Sequence, residues 1–181
     1  MAIVDLAAQP EKLREQASAL LIEHFDEPYG WRNLESARDE VGRILREGFG
    51  RAMLAGETVL GWIGGRPEYD GRVWELHPLV VRREHRLHGI GRALVAAFES
   101  EAQRRGGLTV TLGADDFTGM TSLGGARLYD DLPRQLAEVR VLTPGHPFGF
   151  YLKLGFVVTG VMPDANGPGR PDIFMSKSIR R

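Results

Sequence analysis

The chain has 181 residues, 43% hydrophobic and 26% charged, enough for one hydrophobic core and short for two. A formal net charge of -1 leaves no basic excess for nucleic acid; the arginines at 82, 83, 86 and 92 form the dense basic cluster, which suits one polyphosphate better than a duplex. The lack of cysteine excludes disulfides, thiolate catalysis and cysteine-ligated metal. No apolar stretch approaches the ~20 residues of a membrane span. Met1-Ala2-Ile3-Val4-Asp5 lacks the basic and apolar regions of a signal peptide, so a cytoplasmic protein with no nucleic-acid or membrane partner is expected.

In chain order, Pro10 followed by Glu11, Leu13, Ala17, Leu20, Leu21 and His24 predicts a helix with an apolar stripe that ends near Phe25. Residues 26–33, with Pro28, Gly30 and Trp31, read as a loop, and Ala37, Val41 and Leu45 give 34–46 helical spacing. Residues 49–54 and 58–63 are β-prone runs joined by Ala55-Gly56-Glu57, a hairpin. Next comes a strand over 73–81, in which Glu75, His77 and Leu79 alternate with Trp74, Leu76 and Val80. Pro78 cannot donate to a ladder, so a bulge or splayed edge is expected there.

That strand runs into Arg86-Leu87-His88-Gly89-Ile90-Gly91-Arg92 and then a helix ending at Gly106-Gly107. Glycines at 89 and 91 let a ligand approach the backbone, and the first amides of a helix have no intrahelical acceptors, which favours an anion. The spacing fits neither Gly-x-Gly-x-x-Gly nor Gly-Lys-Ser/Thr. A short strand over 108–112 completes a β-turn-α-β unit. Residues 113–147 are irregular apart from a possible helix at 133–141, and a connection of that length is usually functional. A short helix at 147–154, a strand at 156–161, a polar turn at 163–170 and a last strand at 172–179 follow. The sum is an α+β fold in one domain, 1–181, with a central, largely antiparallel sheet.

Separated segments of this pattern resemble one family. Arg86-x-x-Gly89-x-Gly91-Arg92 is similar to the Arg/Gln-x-x-Gly-x-Gly/Ala turn with which the Gcn5-related N-acetyltransferases (GNAT) seat the pyrophosphate of acetyl-CoA. Phe150-Tyr151-x-Lys153-Leu154-Gly155-Phe156 resembles the later motif that carries their catalytic tyrosine. Residues 74–81, 112–116, 160–167 and Arg170-Pro171-Asp172-Ile173 look like the aminoglycoside 6'-N-acetyltransferase branch known from enterococci, and the resemblance runs from about residue 20 to 179. Phe25 stands where that branch has a tryptophan, with Trp31 displaced along the loop, and Pro144-Gly145 slightly lengthens the long connection.

The resemblance implies a GNAT fold, a mixed sheet splayed at its fourth and fifth strands and flanked by helices. It implies transfer of acetyl from acetyl-CoA to a primary amine of a small polycation, foremost the 6'-amine of an aminoglycoside, by direct attack in a ternary complex. Two other readings stay open: a protein or peptide N-acetyltransferase, and a non-catalytic acetyl-CoA-binding module. Tyr151, a phenol protonated near neutrality, is the candidate acid for the leaving thiolate, with core packing as its plainer role. Glu75, a carboxylate in an apolar strand, is the candidate base, with a structural ion pair to an arginine as the alternative; His77 shares its face and could share its role. Leu79, Val80 and Val81 would hold the pantetheine chain, and the turn from Arg86 through Leu87, His88, Gly89, Ile90 and Gly91 to Arg92 the pyrophosphate, with Tyr151 beside the thioester. The acceptor would be met by Phe25, Trp31, Glu75, His77, Asp115 and Asp116; the acidic pair could instead cap a turn. Glu23, Asp26 and Glu27 read as loop charge. Histidines occur singly, so no metal is expected. A homodimer is expected by resemblance, with Ile173, Phe174 and Met175 of the last strand either at its interface or in the core.

Overall fold

The computed structural model describes residues 1–25 and 30–180, so the loop acids Asp26 and Glu27 lie outside the described residues. The elements are β1 (Ala2–Asp5), α1 (Glu11–His24), α2 (Leu34–Glu47), β2 (Phe49–Ala55), β3 (Thr58–Glu68), β4 (Val73–Val81), α3 (Ile90–Arg104), β5 (Thr109–Asp115), α4 (Leu132–Ala137), α5 (Pro147–Leu152), β6 (Val157–Met162) and β7 (Asp172–Ser178), an α+β chain as expected. They form two compact units, Met1–Val110 with Ile179–Arg181, and Thr111–Ser178.

In the first unit β1, β2, β3 and β4 pair antiparallel in sequence order. Strand β1 was not expected. Its side chains are largely exposed, so it has no apolar alternation to read; pairing with β2 is what makes it a strand. Strand β3 runs five residues beyond the predicted hairpin arm, to Glu68, because β4 covers its far half. The stripe of α1 buries Leu13, Ala17, Leu20 and Leu21 against Trp62, whose indole N–H donates to the Ala17 carbonyl at 2.9 Å. Helix α2 begins in a capping box, in which the Asn33 side chain accepts from the Ser36 amide and the Ser36 hydroxyl accepts from the Asn33 amide.

A second packed group joins Phe49, Trp74 and Phe98, with the Arg105 guanidinium 4.9 Å from the Phe49 ring centroid. Beside it Glu101 is buried. Hydrogen bonds from Arg104, then Arg105, and the charge of Arg51 outweigh desolvation and hold its carboxyl down to about 2.

The second unit holds β5, β7 and β6 in that order, with β6 and β7 antiparallel. Ile173 and Met175 are fully buried within the chain, while Phe174 is half-buried. Of the long connection, α4 is shorter than predicted, and the remainder is ordered by contacts distant in sequence. Thr121 bridges Val141, and the Ser122 amide donates to Arg140 at 2.9 Å. No described helix is long and apolar enough to cross a membrane.

Candidate active site

Strand β4 carries the first group of candidates. Trp74, Leu76, Pro78 and Val80 are buried, and Glu75, His77, Leu79 and Val81 between them are half-buried. The expected irregularity is present: against β3 the register passes from Ile63↔Leu79 to Gly65↔Leu76, so His77 and Pro78 together oppose Gly64. The His77–Pro78 peptide is cis.

Glu75 faces its cross-strand partner Arg66, whose Nε is 3.0 Å from Glu75 Oε2 and whose terminal nitrogen bonds the same oxygen. The arginine ion pair raised as the alternative for Glu75 therefore exists, and the half-exposed carboxylate keeps a second oxygen outside it. His77 sits between an aromatic wall and an acid. The ring of Trp31 is 6.0 Å away by centroids, and Phe25 meets Trp31 edge-on at 5.2 Å. On the other side His77 Nε2 lies 3.3 Å from Glu40 Oε1. The fold thus gathers Phe25, Trp31 and His77, although Trp31 is displaced in sequence.

At its end β4 is tied to the next turn. The Val81 carbonyl accepts from His24 Nε2 and, at 3.3 Å, from Arg86 Nε, and Leu79, Val80 and Val81 pair with Ile63, Trp62 and Gly61. Burial chiefly lowers the His24 pKa. After a short 3-10 turn at Arg83–His85 the chain reaches Gly89, the N-cap of α3, at φ 82°, a left-handed conformation that costs most other residues about 1–2 kcal/mol. A Cβ on Gly89 would meet no other atom, so its backbone conformation is the whole requirement. Leu87 is also left-handed, at φ 64°, and fully exposed.

Among the described residues the amides of Leu87, His88, Gly89, Ile90, Gly91 and Arg92 have no protein acceptor, and no side chain caps the helix. The first intrahelical bond of α3 belongs to Ala93, whose amide donates to Gly89 at 3.0 Å. A run of N–H groups at the positive end of a 15-residue helix, with exposed Arg86 and Arg92, fits a polyphosphate group. Arg82 and Arg83 are used otherwise, donating to the carbonyls of Val59 and Glu23.

The second unit holds Tyr151, Asp115 and Asp116. Tyr151 is positioned by a helix C-cap: the Phe156 amide donates to the Tyr151 carbonyl at 3.1 Å, the Gly155 amide to Leu152 at 3.0 Å, and Gly155 takes φ 85°. The apolar contact that accompanies this cap is the Tyr151–Phe156 ring pair, 5.4 Å apart. The Tyr-x-Lys-Leu-Gly-Phe motif is therefore a stop signal that locks one tyrosine. Burial pushes the phenol pKa up.

The acidic pair divides. Asp116 is fully buried; Oδ1 accepts from the Met120 amide at 2.8 Å, and Oδ2 from the Thr121 amide at 2.9 Å and hydroxyl at 2.7 Å. Burial alone would raise its pKa; the bonds from Thr121 and Met120 outweigh it and leave the carboxyl below its ordinary value. Its geometry is that of the turn cap. Asp115 is half-buried, with Oδ1 accepting from Asn166 Nδ2 at 2.5 Å. His146 Nδ1 accepts from the Phe148 amide at the start of α5, which leaves Nε2 to donate to the Asp115 carbonyl at 3.0 Å.

Glu40, Arg66, His146 and Asn166 were not singled out from the sequence. Only Glu40 left a signal there, a charge inside the apolar stripe of α2.

The acetyltransferase (GNAT) family profile matches residues 12–129. Among solved structures the chain is similar to an aminoglycoside 6'-N-acetyltransferase complexed with coenzyme A, at 37% identity and TM-score 0.93 over 100% of this chain and 98% of that one. It is similar to the aminoglycoside 6'-N-acetyltransferase of Enterococcus faecium, at 37% identity and TM-score 0.90 with the same coverage. An aminoglycoside 6'-acetyltransferase type Ii matches at 35% identity and TM-score 0.76, over 100% of this chain and 99% of that one. A search of curated proteins found no match. With an amide-lined turn opening α3, a capped tyrosine and full-length similarity all in agreement, the chain belongs to the GNAT acetyltransferase family.

Proposed function

We propose that this acetyltransferase moves an acetyl group from acetyl-CoA to a primary amine of a small polycation, the 6'-amine of an aminoglycoside first of all. The observation that carries this reading is the similarity, across the whole chain, to aminoglycoside 6'-N-acetyltransferases, one of them holding coenzyme A. The donor reading has its own support in the acceptor-free amides of residues 87–92, which would bind the pyrophosphate.

In this reading the acceptor nitrogen attacks the thioester carbonyl, the C–N bond forms, the C–S bond breaks, and the thiolate takes the Tyr151 proton. Burial keeps that phenol protonated at neutral pH, as an acid must be. Glu75, oriented by Arg66, and His77 remove the ammonium proton, directly or through water. Leu79, Val80 and Val81 present β4 to the pantetheine chain. Phe25 and Trp31 wall the acceptor beside His77, and Asp115 supplies negative charge for its other amines. Asp116 shapes the loop behind Asp115. A cytoplasmic homodimer is the proposed setting; the edge strand β6 leaves Val157 and Met162 exposed for such an interface.

Purified protein mixed with acetyl-CoA and a panel of amines tests this by thiol release. Turnover with aminoglycosides that carry a 6'-amine, and none with those that lack it, is expected. Turnover with basic peptides alone, or acetyl-CoA binding without thiol release, overturns the reading. Tyr151→Phe should lower kcat at least about tenfold with the KM for acetyl-CoA unchanged.

A further inference from the structure

Helix α2 buries Ala37, Val41 and Ile44, spaced i, i+4 and i+7, and the i+3 position of that stripe is Glu40. A carboxylate whose side chain is only 13% exposed needs compensation. Arg43 supplies part of it, with Nε 3.0 Å from Oε2 and a terminal nitrogen 2.6 Å from Oε1. The same guanidinium also serves Glu47 at 3.3 Å, so two carboxylates share one positive charge. The remaining neighbour of Glu40 is His77 Nε2, 3.3 Å from Oε1. The His77 contact and then Arg43 outweigh the cost of burial and hold the Glu40 carboxyl down to about 2, so it is an anion near neutral pH.

We propose that Glu40 is a positioning residue for His77, holding the neutral ring with Nε2 protonated and Nδ1 as the lone-pair atom that takes up the acceptor's proton. A neutral imidazole has one N–H and one lone pair. A lone pair at Nε2 would face a carboxylate oxygen at 3.3 Å and be repelled; an N–H there is attracted. The imidazolium formed on proton uptake meets an anion already in place, beside a pair of acids served by a single arginine. A buried carboxylate plays this part behind a catalytic histidine in the serine-protease triad. Exposure is ordered accordingly, with Glu40 the inner partner and His77, 41% exposed, the outer one. Trp31 limits the ring from a second direction.

The inference rests on His77 belonging to the proton-removing group and adds what makes it competent. In 15N-labelled native protein at a pH where the ring is neutral, long-range proton–nitrogen correlations should show His77 protonated at Nε2. Glu40→Gln, which keeps shape and removes charge, should populate the other tautomer and lower kcat about tenfold or more, with the KM for acetyl-CoA unchanged. In a His77→Ala background the same substitution should change kcat no further. A native ring protonated at Nδ1, which needs no variant to fold, overturns the proposal, as does an equal loss of kcat from Glu40→Gln in both backgrounds. If His77→Ala keeps wild-type kcat, the role of His77 itself fails and the proposal with it. If His77→Ala is impaired and Glu40→Gln is not, the proposal fails alone.

Discussion

The turn at 87–92 and the loop at 116–124 are opposite solutions to one problem, a run of backbone N–H groups that no helix or strand satisfies. In the loop the chain itself satisfies those of residues 120–124. Asp116 accepts from Met120 and Thr121, the Thr121 hydroxyl oxygen from Leu123, the Thr121 carbonyl from Gly124, and the Arg140 carbonyl from Ser122. In the turn, among the described residues, it satisfies none, and it places a left-handed leucine and a left-handed glycine there besides. Both stretches carry charge and glycine, so composition does not distinguish them. What does is where the donors go: the amides of residues 120–124 each find an acceptor within the chain, which is architecture, and an unsaturated turn at the head of a long helix is what the proposed anion site requires.

The hardest way to break this comparison is to remove the acceptor from the saturated side. Asp116→Ala leaves the Met120 and Thr121 amides and the Thr121 hydroxyl without their partner in a buried place, which should cost about 3–5 kcal/mol. Thermal unfolding should show it, at roughly 2–4 °C per kcal/mol for a chain of this size. At a temperature where the variant is still folded, its KM for acetyl-CoA should match the wild type. A variant as stable as the wild type would mean that the loop is not built on Asp116.

On the unsaturated side the order of effects should reverse. Gly89→Ala introduces a methyl group that touches nothing in the protein, so the penalty is the left-handed backbone, about 1–2 kcal/mol. If the turn relaxes to escape that strain, its amides turn away from the pyrophosphate, and the KM for acetyl-CoA should rise roughly tenfold, equivalent to about 1.4 kcal/mol. The acceptor KM should stay where it is. An unchanged acetyl-CoA KM, alongside a lowered melting temperature, would return the turn to plain architecture.

The contrast also explains which parts were legible in the sequence. Gly89, Gly155 and Pro78 act on their own backbone, and each does what its residue type forecasts: a left-handed N-cap, a left-handed helix stop and a two-residue bulge. Helix stripes are local too, and α1 and α2 follow theirs. Strand β1 escaped because an exposed edge strand has no alternation, and the order of the long connection escaped because its partners are distant in sequence. Arg66 became the partner of Glu75 only through the β3–β4 register. Glu40 lies 37 positions from His77, yet it interrupts an apolar stripe, and a charge in such a place is a visible request for a partner.

Asp115 gives the smallest effect and the finest test, because it stands beside Asp116 in sequence and apart from it in environment. Its carboxylate is half-buried and accepts one hydrogen bond, from Asn166. Asn at 115 could still accept that bond through its amide oxygen, so Asp115→Asn should leave the melting temperature nearly unchanged. What it removes is charge. If that charge holds an amine of the acceptor, the acceptor KM should rise about threefold to tenfold at low ionic strength, the acetyl-CoA KM should not move, and the difference should shrink with added salt as the interaction is screened. A salt-insensitive change, or a loss of stability of the Asp116 kind, would place Asp115 with its neighbour as a structural residue.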